Sequence, residues 1–287
     1  MKDCDVSVIV RTRDRPRLLG RALANISAQT CLPAEILIVN DSGDPERVRQ
    51  VVAECGGKLR IRVIDHATCR GRAAALNTGL KKAETLWFAV LDDDDTWLPA
   101  FLETMISAAE GSSPVVCQSY VVDEQLDAYG EPHETGRRLY NGDFKELCLI
   151  DLAGHNRFTI NALLCSLEAW RALGGFREDL TVLEDWEFNL RLASRYAIKV
   201  VPAPLACYHR RPREGNGSHA NSSLAEHAAI QTRLGNEWLR HDLETGRFGF
   251  GWLSALGRQQ QELQQLPFVG RLKRWRERWH RMRGRSL

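Results

Sequence analysis

Four aspartates stand in succession at Asp92, Asp93, Asp94 and Asp95, directly after the apolar run Leu86-Trp87-Phe88-Ala89-Val90-Leu91. Carboxylates this close repel one another unless positive charge sits among them. Their oxygens are hard ligands suited to magnesium, manganese or calcium, and an ion held by one or two aspartates commonly completes its shell with substrate phosphates. The run therefore predicts a divalent cation carrying a diphosphate. The competing reading is that these aspartates cap the following helix and decorate a turn, which the sequence Asp95-Thr96-Trp97-Leu98-Pro99 also allows.

The elements that must position such a run are legible around it. Val6-Ser7-Val8-Ile9-Val10 is a strand-length apolar run, and Leu18 to Gln29 is a helix with Leu18, Leu19, Ala22 and Ile26 at helical spacing. The alternation repeats with strand Ile36–Val39, helix Pro45–Cys55, strand Leu59–Ile64, helix Arg72–Ala83 and strand Leu86–Leu91. Buried strands separated by helices predict a mostly parallel sheet covered on both faces, an α/β fold. Ligands of such sheets bind beyond the carboxyl ends of the strands. Those ends carry Arg11-Thr12-Arg13-Asp14, Asn40-Asp41-Ser42-Gly43-Asp44, Asp65-His66 and the four aspartates, so these polar groups gather at one edge.

Composition bounds the remaining classes. At 287 residues, 44% hydrophobic and 26% charged, the chain can bury a large core. No apolar run reaches the ~18 residues of a membrane span, and the opening MKDCDVSVIVRTRDRP is too soon charged for a signal peptide, which points to the cytoplasm. Eight cysteines without a CxxC pair suit buried thiols better than disulfides or a zinc site. The net charge of +2 conceals an asymmetry, because residues 271–287 carry eight basic side chains against Glu277 alone. The rest of the chain is net acidic, which argues against nucleic acid as a partner of the whole surface.

The ordered set VSVIVRTRDRPRLLGRAL, ILIVNDSGD, GRAAALNTGL, FAVLDDDDTWLP, GGFREDL and LEDWEFNLRLA resembles glycosyltransferase family 2, over about residues 5–212. The resemblance implies a GT-A (Rossmann-like) domain over 1–212, with a nucleotide-sugar half to about 118 and an acceptor half beyond it. A loop and helix over 213–250 and a basic amphipathic helix over 251–287 then form a C-terminal helical extension. It implies that Thr12, Arg13 and Asp41 hold the nucleotide base, with Asn40 in place of the more frequent first aspartate. Gly71, Ala75, Asn77 and Gly79 match a helix-start segment near the nucleotide, where Arg72 either approaches a phosphate or is a solvated helix residue. Asp92, Asp93 and Asp94 are implied to bind ribose and metal, with Asp94 as the ligand of Mn2+ or Mg2+ and Asp95 as a helix cap. Asp185 is the implied base that activates an acceptor hydroxyl, and Glu184 its neighbour; Glu187 and Arg191 read as a helix-face ion pair. His209 is either a further metal ligand or an ordinary histidine beside a basic loop, and Arg210 and Arg211 are alternatives for meeting the diphosphate.

These roles imply transfer of a sugar from a nucleoside-diphosphate sugar to an acceptor hydroxyl with inversion, in surface polysaccharide or glycolipid synthesis. The alternative is a nucleotide-binding or nucleotidyl-transferring α/β protein, which would carry a Gly- and Lys-rich phosphate loop near strand one; the sequence has none there. Residues 120–141 and 154–161 are where similar enzymes place acceptor contacts. In the tail, Leu272, Trp275, Trp279 and Met282 share one helical face among basic residues. That pattern predicts either a helix packed on the fold or one lying over 268–285 on an anionic membrane surface, where a lipid-linked acceptor would reside.

Overall fold

The computed structural model describes residues 2–55, 57, 59–127, 131–140, 144–211 and 224–265. By chain contacts these fall into two compact units, one built from residues up to 147 and 157–230, the other from 148–156 and the chain after 230.

In the first unit, the alternation expected from the sequence is present, with the first two strands longer than expected and the next two shorter. It runs β1 (Lys2–Thr12), α1 (Pro16–Ser27), β2 (Cys31–Asn40), α2 (Pro45–Cys55), β3 (Ile61–Asp65), α3 (Arg72–Leu80) and β4 (Trp87–Val90). Strand β1 pairs in parallel with both β2 and β4, and β2 with β3. Val6, Val8, Ile9 and Val10 are fully buried because β1 is covered on both faces. On one face α1 presents Leu19, Ala22, Leu23 and Ile26 to the core. Each such leucine or isoleucine removed from water contributes about 2 kcal/mol. On the other face α3 rides close to the sheet: a Cβ on Gly79 would stand 2.8 Å from Ile9 Cγ2.

The remaining strands are β5 (Thr96–Trp97), β6 (Val115–Leu126), β7 (Pro132–Leu139), β8 (Leu163–Ser166) and β9 (Lys199–Arg210). Their helices are α4 (Phe101–Ala108), α6 (Leu167–Ala172) and α7 (Glu184–Arg195), with α5 (Leu149–Gly154) belonging to the second unit. The sheet runs β3-β2-β1-β4-β8-β6-β9-β5, with β7 on β6. It is parallel from β3 to β4 and mixed beyond, since β8 is antiparallel to β4 and β6 while β9 is parallel to β6. Thus the N-terminal half follows the expected parallel pattern, and the C-terminal half departs from it.

All eight cysteines are free; Cys4, Cys31, Cys117, Cys165 and Cys207 are buried, whereas Cys69 and Cys148 are exposed, contrary to a uniform core role.

The second unit adds α8 (Leu224–Thr245) from Gln231 onward, and α9 (Phe250–Gln265). Its helices α5 and α9 meet backbone to backbone: a Cβ on Gly257 would lie 2.4 Å from the Ile150 carbonyl oxygen, and one on Gly154 2.8 Å from Gly257. Asp242 accepts from the Trp252 N–H at 2.9 Å near the start of α9. The tail residues Leu272, Trp275, Trp279 and Met282 lie outside the described residues.

Candidate active site

The acidic run begins two residues after β4 ends, at the carboxyl edge of the sheet where the parallel-sheet rule places a ligand. A cleft of about 220 Å³ opens there, lined by Arg11, Thr12, Arg13, Arg15, Asp41, Arg72, Asp92 and Asp94, among others. The four aspartates divide between cleft and interior. Asp92 and Asp94 line the cleft, whereas Asp93 and Asp95 are 0% and 3% exposed.

Arginines supply positive charge to this run. Arg11 donates from Nε to Asp92 Oδ1 at 2.6 Å and from Nη1 to Glu184 Oε1 at 2.9 Å. Arg15 pairs with Asp93 at 2.6 Å and with Asp94 at 3.2 Å, and Arg211 pairs with Asp94 Oδ2. Burial works against the charge on Asp94, but Arg15 and Arg211 outweigh it and hold its pKa below the ordinary carboxylate value. For Asp93 burial wins and pushes the carboxyl up to about 7, against the pull of Arg15.

The D-x-D pair fits a divalent ion. One carboxylate oxygen each from Asp92, Asp94 and Asp95 lies within 4.8 Å of the others, a hard-donor triplet of the kind magnesium and manganese take. Asp95 is nevertheless anchored differently from the expected helix cap. Its carboxylate accepts from the His209 backbone N–H at 2.9 Å and from Asn161 Nδ2 at 2.9 Å, and burial together with Asp94 and Asp92 raises it well above the ordinary value. The next helix, α4, starts only at Phe101.

His209 stands outside this triplet. Its Nδ1 meets Glu124 at 2.6 Å and its Nε2 meets Thr96 Oγ1 at 2.8 Å, so both ring nitrogens are engaged within the fold.

Other residues expected to contact the nucleotide are also fastened within the fold. Asp41 accepts the backbone N–H groups of Arg70 at 2.8 Å and Gly71 at 2.9 Å, with His66 and Cys69 beside it. Burial disfavours its charge, yet these donors keep it below the usual carboxylate range. They fix the loop that turns through Gly71, at φ 89, into α3. Asn40 holds the Gly43 N–H and carbonyl and Asp65, closing the turn after β2. Asn77 is not in the cleft: its amide accepts from Phe176 N at 2.9 Å and donates to the Phe176 carbonyl and Glu178. Thr12 donates to Asp93 at 2.8 Å from a buried position, while Arg13 and Arg72 line the cleft.

On α7 the first turn presents Glu184, Asp185 and Glu187, a favourable place for negative charge on the helix dipole. Leu183 precedes it in the left-handed region at φ 64. Glu184 is buried on Arg11, and Asp185 accepts from the Trp186 N–H at 2.8 Å. Burial and the charge of Glu184 push the Asp185 carboxyl up to about 6, opposed by Arg11 and Arg72. The expected pair Glu187–Arg191 forms at 2.7 Å, but it is no mere surface pair. Arg191 also donates to the carbonyls of Leu173 and Gly175 and so pins the Gly174-Gly175 turn.

Sequence reasoning missed Arg15, Arg21 and Glu124; it named Arg11 only among the polar groups at the strand ends, Arg211 only as an alternative for meeting the diphosphate, and Asn161 only within the stretch 154–161. Arg11 was detectable as one of the polar residues that end β1; Glu124 carried no signal, because it lies in a stretch with no motif.

The sequence model of glycosyl transferase family 2 matches residues 7–165 of this chain. The chain belongs to glycosyltransferase family 2. A relative, the uncharacterized glycosyltransferase YwdF of Bacillus subtilis, is 30% identical over 205 residues, which are 71% of this chain and 73% of that protein. Two solved structures share the fold. Staphylococcus aureus TarS 1–349 in complex with UDP-GlcNAc superposes with a TM-score of 0.61 at 20% identity, covering 82% of this chain and 65% of that one. The mannosyltransferase PcManGT of Pyrobaculum calidifontis, in complex with GDP-Man and Mn2+, gives 0.58 at 21% identity, covering 88% and 69%. This family 2 chain is therefore a glycosyltransferase with a GT-A central sheet, and the nucleotidyl-transfer alternative is set aside.

Proposed function

We propose that the enzyme transfers a hexosyl group from a nucleoside-diphosphate sugar to an acceptor hydroxyl, with metal dependence and inversion, in the synthesis of a surface polysaccharide or glycolipid. The observation that carries this reading is Arg11, which ties Asp92 of the acidic run to Glu184, the neighbour of Asp185. One guanidinium thereby couples the groups suited to hold the donor and the group suited to activate the acceptor. The solved relatives bound to UDP-GlcNAc and to GDP-Man with Mn2+ support a hexose donor.

In this reading Arg13 and Arg72 face the donor's nucleotide and phosphates, while Asp92 and Asp94 hold Mn2+ or Mg2+. The bound ion supplies charge that offsets the leaving diphosphate. Asp185 takes the proton of the acceptor hydroxyl as its oxygen attacks the anomeric carbon; the bond to the diphosphate oxygen breaks on the opposite face, which inverts the carbon. Asp41 acts indirectly, by fixing the loop around Gly71 that borders the cleft. Among the described residues no helix is long and apolar enough to cross a membrane, and the basic tail over 268–285 suits an enzyme working on the cytoplasmic membrane face on a lipid-linked acceptor.

Hydrolysis and transfer assays against a panel of uridine and guanosine diphosphate sugars, with and without Mn2+, test the proposal. Release of nucleoside diphosphate from one donor, dependent on metal and on Asp185, is the expected result. Metal-independent turnover would remove the ion from the mechanism, and retention of configuration in the product would remove Asp185 as base.

A further inference from the structure

Glu124 lies on β6, outside every motif of the sequence, and yet three side chains distant from it in sequence converge on it. It is 3% exposed, and three cationic or potentially cationic side chains meet its carboxylate. Arg21 of α1 reaches Oε1 at 2.5 Å, His209 Nδ1 of β9 reaches the same oxygen at 2.6 Å, and Arg211 reaches Oε2 at 3.0 Å. Burial alone would raise this carboxyl, but His209 and Arg21 bring it down to about 2.

Each of these partners continues to the acidic run. Arg21 Nη2 donates to the backbone carbonyl of Asp94, Arg211 Nη2 pairs with Asp94 Oδ2, and the His209 backbone N–H donates to Asp95 Oδ1 at 2.9 Å. Three parallel bridges thus run from one buried carboxylate to two consecutive aspartates. Their effect on Asp94 is directional. Oδ2 is occupied by Arg211 and Arg15, and among the described residues Oδ1 has no hydrogen-bond partner, while the side chain borders the cleft. A carboxylate with one oxygen clamped from behind presents the other without rotational freedom, which is how outer partners orient a ligand for a metal. The Arg211 side chain is wholly buried, so in this arrangement it acts on Asp94 from the interior.

We propose that Glu124 is a positioning residue for the metal-binding aspartate: through Arg211 and Arg21 it fixes Asp94 so that one oxygen faces the cation of a metal–nucleoside diphosphate. The inference rests on the reading of Asp94 as a metal ligand. It also departs from the sequence expectation, in which residues 120–141 faced the acceptor.

The test is direct binding of Mn2+ to the full chain, read from the electron paramagnetic resonance signal of free Mn2+ in the presence of UDP or of GDP. Glu124→Gln keeps the shape and removes the charge; it is expected to weaken Mn2+ binding at least tenfold. Asp123→Asn removes the same charge one residue away, where Asp123 pairs with Arg210 on the surface, and is expected to leave the affinity unchanged. In a background carrying both Arg21→Gln and Arg211→Gln, Glu124→Gln should add less than twofold, because both arginines it works through are already gone. Glu124→Asp keeps the charge but withdraws it, so it covers the case in which Glu124→Gln does not fold; it should bind Mn2+ several-fold more weakly than the wild type. Equal Mn2+ affinity in the wild type and in the folded Glu124 variant overturns the positioning role while leaving the function reading intact. Equal losses in Glu124→Gln and Asp123→Asn overturn it too, as they would reveal a bulk charge effect. A wild-type chain that binds Mn2+ with neither nucleotide overturns the metal reading and the inference together.

Discussion

Asp185 is a half-buried carboxyl whose proton is held up to about pH 6, and both its chemistry and its cost follow from that. As a base it works only when ionised, so kcat is expected to rise with pH through an acidic limb near 6. Glu184→Gln removes the like charge beside it and should move that limb to lower pH, measured as kcat against pH at saturating donor. Asp185→Asn should retain nucleotide and lose turnover by a factor on the order of 10² or more; near-normal transfer would place the base elsewhere. The same carboxyl burdens the fold. Between the ordinary carboxylate value and about 6, the folded chain keeps a proton that the unfolded chain has released, so stability falls as pH rises through that window. The Asn variant should therefore melt at a higher temperature than the wild type at pH 8, with the gap closing at pH 4. Asp94→Ala should abolish Mn2+-dependent binding of a nucleoside diphosphate, since it leaves an under-coordinated ion among like charges; unchanged affinity by calorimetry would remove Asp94 from the site.

At the scale of elements, the turn before α7 sets where Asp185 stands. Gly175 has φ 79, and a Cβ there would sit 2.8 Å from Asn77 Oδ1, the very atom that accepts from Phe176. Gly175→Ala is expected to destabilise the fold by about 1–3 kcal/mol and to lower kcat more than it weakens donor binding, read by chemical denaturation beside steady-state kinetics. This junction also shows what was legible in the sequence. The motif segments GRAAALNTGL and GGFREDL were visible, but that Asn77 of one fastens the backbone of the other was not, because nothing in either segment encodes a partner ninety-nine residues away. Strands β1, β2 and β4 were readable since strands buried on both faces leave continuous apolar runs. Strand β7, PHETGRRL, lies at an exposed edge on β6 and has no such run, so it escaped. The aspartate run predicted positive charge correctly in kind, but much of that charge comes from arginines on β1, α1 and the end of β9, which periodicity does not connect to it.

For the whole molecule, the tail's charge offers a prediction separable from catalysis. If its basic residues and tryptophans meet anionic lipid at roughly 1 kcal/mol per charge, the full chain should sediment with anionic vesicles at low salt and be released at high salt. A chain truncated after Leu266 should stay in the supernatant; equal pelleting of both would assign the association to another surface. The second unit carries its own exposed apolar side chains, Phe248 at 84% and Leu243 at 64%, which this comparison would then bring under suspicion. That unit is also assembled from two separate stretches of chain, with α5 supplied early and α9 late. A ribosome releases α5 long before Phe250 and Gly257 exist, so the backbone-to-backbone seat of Gly154 has no occupant for much of synthesis. The nascent chain must hold α5 without the close approach of Gly257 until α9 emerges, which leaves this short helix open to non-native contacts during synthesis.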